Sequence, residues 1–294
     1  MSTILVPTMT TIDSTSGGHD TKTKMQYLDP ESTLMRRYLT PGSAFNTAKF
    51  VWTDVNVRDA RPMRKDFSLE RKGFTLVDHA SKVSDWDDTE QQSGIYSREI
   101  EQLITSMTGA DKVYVFEPTL RRAITNSQYQ PFGSEVHVDY TRQTAENLIS
   151  SFLAKDNKQM TDYSRYQCIN VWRVLSESPQ DYPLGMCDAT SVLSGDFREM
   201  KRIRVDTLPT GLDDLPPQEP PPDTPAADMF EHRTQHSWWF FSDMGVDEAL
   251  VFKLYDSDQS AKAPRCPHTA FQDRVREGTK PRASIEIRTI ACFK

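Results

Sequence analysis

The chain has 294 residues, a formal net charge of -7 and a mean hydropathy of −0.62. No apolar run is long enough to cross a bilayer, and no basic stripe offsets the acidic balance, so we exclude a membrane protein and a general nucleic-acid binder. The four cysteines, Cys168, Cys187, Cys266 and Cys292, show no CxxC spacing. We interpret them as reduced thiols of a cytoplasmic protein.

The first half of the chain predicts one arm, several strands and one long helix. Residues 1–24 are rich in Ser, Thr and Gly, which favours a flexible arm that could also order against a partner subunit. Alternating apolar and polar residues predict strands over 50–58 and 74–77. Apolar residues at helical spacing predict a helix over 90–108, ended by Gly109, before a further strand over 111–117.

The second half is dominated by strand patterns. A short strand over 134–141 precedes a helix over 145–153, and further strands are predicted over 166–175, 237–242, 249–255 and 284–293. We therefore predict a mainly β fold with flanking α-helices: a double-stranded β-helix, that is, a cupin-like jelly-roll barrel. Residues 25–294 would form one such domain.

One segment interrupts this pattern. Residues at about 205–229 are rich in proline, which cannot donate ladder hydrogen bonds, so a loop is predicted there. Two interpretations stay open: a lid over an active site, or an inert surface insertion.

The chemistry is concentrated in His137-Val138-Asp139. In a strand, residues two apart point to the same face, so an imidazole and a carboxylate can converge. They supply two thirds of the facial ligand set of non-haem Fe(II). The third ligand would be a distant histidine, and the candidates are His232, His236 and His268.

His268 is favoured because Arg282-Ala283-Ser284 follows it at the start of the last strand. A dicarboxylic keto acid that chelates the metal needs its far carboxylate held. A guanidinium binds a carboxylate through two hydrogen bonds, and a hydroxyl two residues on lies on the same strand face.

These residues carry a family resemblance. The accompanying segments are 170–173 (Asn-Val-Trp-Arg), 183–188, 247–248, 251–253, 255–257, 268–271 and 284–288. From about Val51 onward, the chain resembles the non-haem iron, 2-oxoglutarate-dependent oxygenases of natural-product pathways. That group includes gibberellin desaturase-like, cephamycin hydroxylase-like and fungal meroterpenoid endoperoxide-forming enzymes.

The resemblance implies Fe(II) held by His137, Asp139 and His268, with 2-oxoglutarate and O2 as co-substrates. Arg282 and Ser284 would bind the C5 carboxylate of 2-oxoglutarate, with Arg288 as the competing arginine. An Fe(IV)-oxo species would then abstract hydrogen from the substrate, leading to hydroxylation, desaturation or endoperoxide formation.

Further site residues are predicted near this centre. Arg173 could contact the co-substrate or form a structural salt bridge, and Tyr129 precedes the ligand strand closely enough to reach the pocket. Lys253 is an alternative partner for the co-substrate carboxylate if Arg282 faces solvent. The candidates for the substrate mouth, with ordinary sheet packing as the alternative, are Trp172, His236, Trp238 and Phe240.

The leading hypothesis is thus a dioxygenase of fungal specialised metabolism acting on an apolar, meroterpenoid-like small molecule. Three alternatives stay open: an iron oxidase that needs no keto acid, a catalytically silent jelly-roll binding protein, and, with less support, a zinc hydrolase. A homodimer is left open as well.

Overall fold

The computed structural model describes residues 18–122, 133–276 and 278–294, and most regular structure in these ranges is β-strand. The strands, numbered in chain order, are β1 (Thr21–Leu28), β2 (Arg36–Thr40), β3 (Ser43–Asn46), β4 (Phe50–Asp59), β5 (Phe74–Asp78), β6 (Lys112–Val115), β7 (Thr119–Arg122), β8 (His137–Val138), β9 (Arg165–Val174), β10 (Leu184–Cys187), β11 (Phe197–Arg204), β12 (Ala226–Phe230), β13 (Trp238–Phe240), β14 (Glu248–Asp256), β15 (His268–Ala270) and β16 (Ala283–Phe293).

The helices lie where the sequence predicts them. A short α1 (Thr89–Gln91) runs through a π-helical turn into α2 (Ser97–Thr108), and α3 (Arg142–Lys155) follows β8. Helix α2 ends at Gly109, whose φ of 71° is readily adopted only by glycine. Helix α3 begins after Thr141, whose side-chain oxygen accepts a hydrogen bond from the backbone N–H of Thr144.

The strands form two sheets. The larger has the order β1-β4-β13-β10-β15-β8-β12-β11-β2-β3; the smaller has the order β5-β14-β9-β16-β6, with β7 also paired to β16. One hydrophobic cluster joins Met186 and Trp239 of the larger sheet to Trp172 and Phe252 of the smaller. The two sheets therefore pack face to face around a shared interior, and the predicted mainly β jelly-roll fold is confirmed.

Alternation along each strand decides which side chains reach this interior. On β9, Cys168 and Trp172 belong to the cluster between the sheets, whereas Ile169 and Val171 pack outward under α2. A third cluster covers the outer face of the larger sheet beneath β1. Helix α2 thus closes one side of the barrel and β1 the other.

Three predicted boundaries are corrected. Residues 21–24, assigned to a flexible arm, belong to β1, which pairs with β4 along its whole length. The proline-rich loop is shorter than predicted, since β12 begins at Ala226. The strand around His137 is reduced to two residues, His137 and Val138. Residues 1–17 of the arm lie outside the described residues.

The proline-rich loop lies against β2 and β11. Glu219 forms an ion pair with Arg36, and the Lys201 ammonium donates to the carbonyl of Pro222 at 3.0 Å. The lid hypothesis stays a prediction. Among the described residues, no helix combines the length and the apolar character that crossing a membrane requires.

Candidate metal centre and co-substrate site

Three side chains with metal-binding groups converge between the two sheets. Strands β8 and β15 are neighbours, and His268 lies directly opposite His137 in their register. Each of His137, Asp139 and His268 offers one ligand atom, and these atoms all lie within 4.8 Å of one another. We call this group the metal-site triad. His137 Nε2 lies 3.6 Å from Asp139 Oδ1, so the two residues share one face, as strand geometry predicts.

Backbone carbonyls orient both imidazoles. His137 Nδ1 lies 2.7 Å from the carbonyl oxygen of Glu135, and His268 Nδ1 lies 3.2 Å from that of Cys266. A carbonyl can only accept, so each Nδ1 carries a proton, which leaves Nε2 as the metal-binding atom of the neutral ring. A metal-binding histidine usually donates its other ring N–H to a group such as a backbone carbonyl, which fixes the orientation of the ring.

The protonation states also suit a divalent cation. Burial, together with nearby His137, lowers the pKa of His268 to about 4, so its imidazole is neutral at pH 7. Burial alone would raise the pKa of Asp139, but the Arg288 guanidinium and the two imidazoles hold that pKa well below its usual range. Two imidazole nitrogens and one carboxylate are the donor set of non-haem Fe(II) with open coordination positions.

A glycine makes room for one of these imidazoles. A Cβ atom at Gly133 would stand 3.0 Å from His137 Cε1, closer than almost any real contact. Gly133 is also held in place, because its carbonyl accepts a hydrogen bond from the backbone N–H of Ala270 at 3.2 Å. A side chain at this position would require His137 or the Gly133 backbone to shift by a few tenths of an ångström.

A chain of ion pairs runs from the triad along β16 to β7. Arg288 Nε donates to Asp139 Oδ2 at 2.9 Å, and Arg288 Nη2 donates to Glu286 Oε1 at 2.7 Å. Glu286 in turn accepts from Arg121 Nη2 at 2.9 Å. Burial alone would raise the pKa of Glu286, but the two arginines keep it below its usual value. These contacts fix the orientation of the Asp139 carboxylate through Oδ2, while its Oδ1 lies nearest His137.

Arg282 occupies the other end of the same strand face. Its side chain is buried, Nη1 donates to the carbonyl of Tyr182 at 2.6 Å, and its guanidinium lies 5.4 Å from the ring centre of Trp172. Burial, with nearby Arg121, lowers the pKa of Arg282 to about 9, so it remains charged at pH 7. Two residues along, Ser284 Oγ is buried without a hydrogen-bond partner among the described residues.

One cavity contains the triad, Arg282 and Arg288. Its charged lining is completed by Arg121 and Glu286. Its apolar wall consists of Trp172, Leu184, Phe252 and Ala270, and the Phe252 ring centre lies 4.6 Å from that of His268. The site thus combines a metal-binding group, a buried cation and an apolar surface.

The prediction that Arg173 contacts the co-substrate is wrong. Arg173 follows Trp172 on β9 and therefore points to the opposite face of the sheet. Its guanidinium donates to the carbonyls of His79 and Val246 at 2.7 and 3.0 Å and lies over the Tyr96 ring. It is a structural arginine under α2.

Of the two interpretations of His236, Trp238 and Phe240, ordinary packing is borne out, and their assignment to the substrate mouth is wrong. Trp238 and Phe240 pack in the cluster on the outer face of the larger sheet, and Trp238 Nε1 donates to the Tyr27 hydroxyl at 2.7 Å. His236 Nε2 lies 3.2 Å from Asp196. On β13, the side chain that faces the interior is that of Trp239, which lies between Trp238 and Phe240.

The other predicted site residues differ in whether they lie at the cavity. Trp172 does line the cavity, and Tyr129 lies outside the described residues. Lys253 is engaged elsewhere, with Asp256 at 2.8 Å and Glu70 at 3.2 Å. Sequence reasoning missed Glu286, although it shares the two-residue period of the other β16 residues. It also missed Phe252, for which the sequence carries no separate signal.

Two packed sheets that enclose a buried His-Asp-His group beside a buried arginine define the class of non-haem Fe(II) oxygenases. Comparison with known proteins agrees. A protein-family model described as "Oxidoreductase/YMDC permease-like domain" matches residues 25–292.

Several characterised relatives cover most of the chain. The Fe(II)/2-oxoglutarate-dependent dioxygenase nvfI of Aspergillus novofumigatus is 32% identical over 263 residues, which are 86% of this chain and 88% of the relative. The hydroxylase/desaturase efuI of Hormonema carpetanum is 31% identical over 275 residues, 88% of this chain and 89% of the relative. The hydroxylase/desaturase CTB9 of Cercospora beticola is 30% identical over 266 residues, 83% and 77% of the two chains.

A solved structure agrees as well. The iron and alpha-ketoglutarate-dependent endoperoxidase NvfI superimposes with a TM-score of 0.78 at 27% identity, covering 93% of this chain and 98% of that one. The chain belongs to this family of Fe(II)/2-oxoglutarate-dependent oxygenases, which use Fe(II), 2-oxoglutarate and O2.

Proposed function

We propose that the metal-site triad holds the Fe(II) of this oxygenase, that Arg282 and Ser284 hold the distal carboxylate of 2-oxoglutarate, and that an apolar small molecule is oxidised. The observation that carries the proposal is the convergence of His137, Asp139 and His268 to within 4.8 Å, with both Nε2 atoms available as ligands.

Arg282 fits the co-substrate better than Arg288 does. The guanidinium of Arg288 is committed to Asp139 and Glu286, so releasing it would leave two buried carboxylates without their cation. Arg282 lines the same cavity, and its Nη1 donates to the neutral carbonyl of Tyr182. Ser284, on the same strand face, offers a buried hydroxyl whose hydrogen-bonding capacity a carboxylate oxygen would satisfy.

Bound Fe(II), with 2-oxoglutarate and O2, supplies the oxidation of a substrate C–H bond while 2-oxoglutarate is converted to succinate and CO2. The chain's own residues position the groups that would hold the metal and shield the site. Glu135 and Cys266 hold the imidazoles through their carbonyls, Arg288 holds the Asp139 carboxylate, and the apolar wall would limit the water that reaches the metal.

The substrate class follows from the wall and from the relatives. Trp172, Leu184, Phe252 and Ala270 present apolar surface beside the triad, which suits an apolar, meroterpenoid-like molecule. The relatives are named a hydroxylase/desaturase or an endoperoxidase. We propose that this chain catalyses hydroxylation, desaturation or endoperoxide formation, since all three begin with removal of hydrogen from carbon.

The test is an anaerobic titration. Purified protein with Fe(II) should develop a weak visible metal-to-ligand absorption on addition of 2-oxoglutarate, and admitting O2 should yield succinate. Asp139→Ala should lose both signals, because a facial set needs its carboxylate.

The matched control is Asp54→Ala, which removes a carboxylate whose side chain is 85% exposed and should change neither signal. Succinate formation by the Asp139→Ala protein at the wild-type rate would sink the proposal. An iron-dependent oxidation that proceeds without 2-oxoglutarate would instead support the iron oxidase that needs no keto acid.

A further inference from the structure

Asn170 is a buried polar side chain with no visible task. It is completely buried in the middle of β9, yet neither its amide oxygen nor its amide nitrogen has a hydrogen-bond partner among the described residues. Leaving both ends of a buried amide without a partner costs stability, and buried polar groups in folded proteins are nearly always satisfied. An amide in this state keeps its full hydrogen-bonding capacity for a bound molecule or water.

Strand geometry places this amide on the face of β9 that points between the two sheets. Asn170 shares its strand face with Cys168 and Trp172, which point between the sheets. Its direct cross-strand neighbours are Phe252 on β14 and Arg288 on β16. Trp172, Phe252 and Arg288 all line the metal-site cavity.

Both cross-strand neighbours touch the triad itself. The Phe252 ring centre lies 4.6 Å from that of His268, and Arg288 Nε lies 2.9 Å from Asp139 Oδ2. Neither neighbour satisfies the amide: Phe252 has no polar atom, and Arg288 donates to Asp139 and Glu286. Asn170 is thus the uncommitted polar group that β9 presents between these two residues.

We propose that Asn170 binds the metal-chelating end of 2-oxoglutarate, donating its amide N–H to a carboxylate oxygen there. This inference rests on the proposed function and deepens it: Arg282 and Ser284 would hold the far carboxylate, and Asn170 the near one. An amide suits this position because it donates a hydrogen bond without adding a second cation beside the metal.

The inference separates co-substrate binding from stability. Asn170→Leu removes a buried amide without partners, so the metal-free protein should melt at the wild-type temperature or above it. The same variant should bind 2-oxoglutarate about tenfold to a hundredfold more weakly in the presence of Mn(II), the range expected for losing a hydrogen bond to a charged group. The readouts are the melting temperature of the empty protein and anaerobic calorimetric titration with 2-oxoglutarate.

Asn170→Asp is the second variant, because it keeps the shape but replaces the donor with a like charge. It should bind 2-oxoglutarate at least as poorly as the Leu variant. Thr289→Val is the matched control: Thr289 is equally buried on the opposite face of β16 and donates to the carbonyl of Ile169 at 3.0 Å. Its loss should lower the melting temperature and leave the affinity unchanged.

Wild-type affinity for 2-oxoglutarate in either Asn170 variant would overturn the inference while leaving the proposed function intact. A wild-type protein that binds Mn(II) but shows no affinity for 2-oxoglutarate would overturn the proposed function itself.

Discussion

Removing Arg288, whose guanidinium contacts Asp139 of the metal-site triad, should destabilise the metal-free protein strongly. Arg288 contacts two buried carboxylates, at 2.9 Å from Asp139 and 2.7 Å from Glu286, and the side chain of Asp139 is only 7% exposed. In Arg288→Gln, Glu286 keeps Arg121, but Asp139 is left without its guanidinium. Breaking one side of a buried ion pair costs about 3–5 kcal/mol. We expect about 3 kcal/mol, because His137 remains beside Asp139.

The assay is urea unfolding of the metal-free protein at pH 7.5, followed by circular dichroism, with and without Mn(II). Bound cation should recover part of the loss, because it supplies positive charge to Asp139 in place of Arg288. Mn(II) affinity itself should fall about tenfold to a hundredfold, as for other residues that orient a metal ligand.

Two controls make the result decisive. Arg142→Gln breaks the surface pair with Glu146, in which the arginine side chain is 64% exposed, and should leave the urea midpoint at the wild-type value. Adding Asp139→Asn to Arg288→Gln should recover much of the loss, because the orphaned carboxylate is gone. A cost below about 1 kcal/mol for Arg288→Gln alone would refute this account of the ion-pair chain.

Two further predictions concern residues away from the metal. Trp238→Phe leaves the Tyr27 hydroxyl without its indole donor and should lower the free energy of unfolding by about 1–2 kcal/mol. Turnover of 2-oxoglutarate at 20 °C should stay unchanged. Reduced turnover of the folded variant would contradict the placement of Trp238 on the outer face. Burial raises the pKa of Asp228 from 3.8 to about 7, so the folded state holds this proton more tightly and stability falls as the pH rises between these values, by at most about 4 kcal/mol. Asp228→Asn cannot ionise and should flatten that slope in urea midpoints measured from pH 5 to pH 7.5, and an unchanged slope would contradict the assignment.

Residues that carry a local signal could be placed from the sequence. The period of two in β16 puts Arg282, Ser284, Glu286 and Arg288 on one face, and the same rule joins His137 to Asp139. Long strands such as β9 and β14 were predicted nearly to the residue, because their apolar content is high.

Positions that depend on packing against distant strands could not be placed. Every residue of β13 is apolar and buried, so its sequence does not show which side chains point between the sheets. Trp239 does so, whereas Trp238, which was assigned to the substrate mouth, packs on the outer face. The same ambiguity affected Arg173, whose neighbour Trp172 faces the cavity. Strands β2 and β11 lack clear alternation and are formed by their partners, so the sequence alone could not reveal them.

The position of β16 makes assembly of the site a late event in folding. Among the described strands, this one follows all the others along the chain, yet it lies inside the smaller sheet, between β9 and β6. Until it inserts, β9 has an open edge, and Asp139 lacks the arginine that neutralises it. A nascent chain therefore carries two members of the metal-site triad, His137 on β8 and Asp139 just after it, before β16 has supplied Arg288. We expect protection of the β9 amides from hydrogen exchange to appear together with competence to bind metal, both set by the docking of one strand.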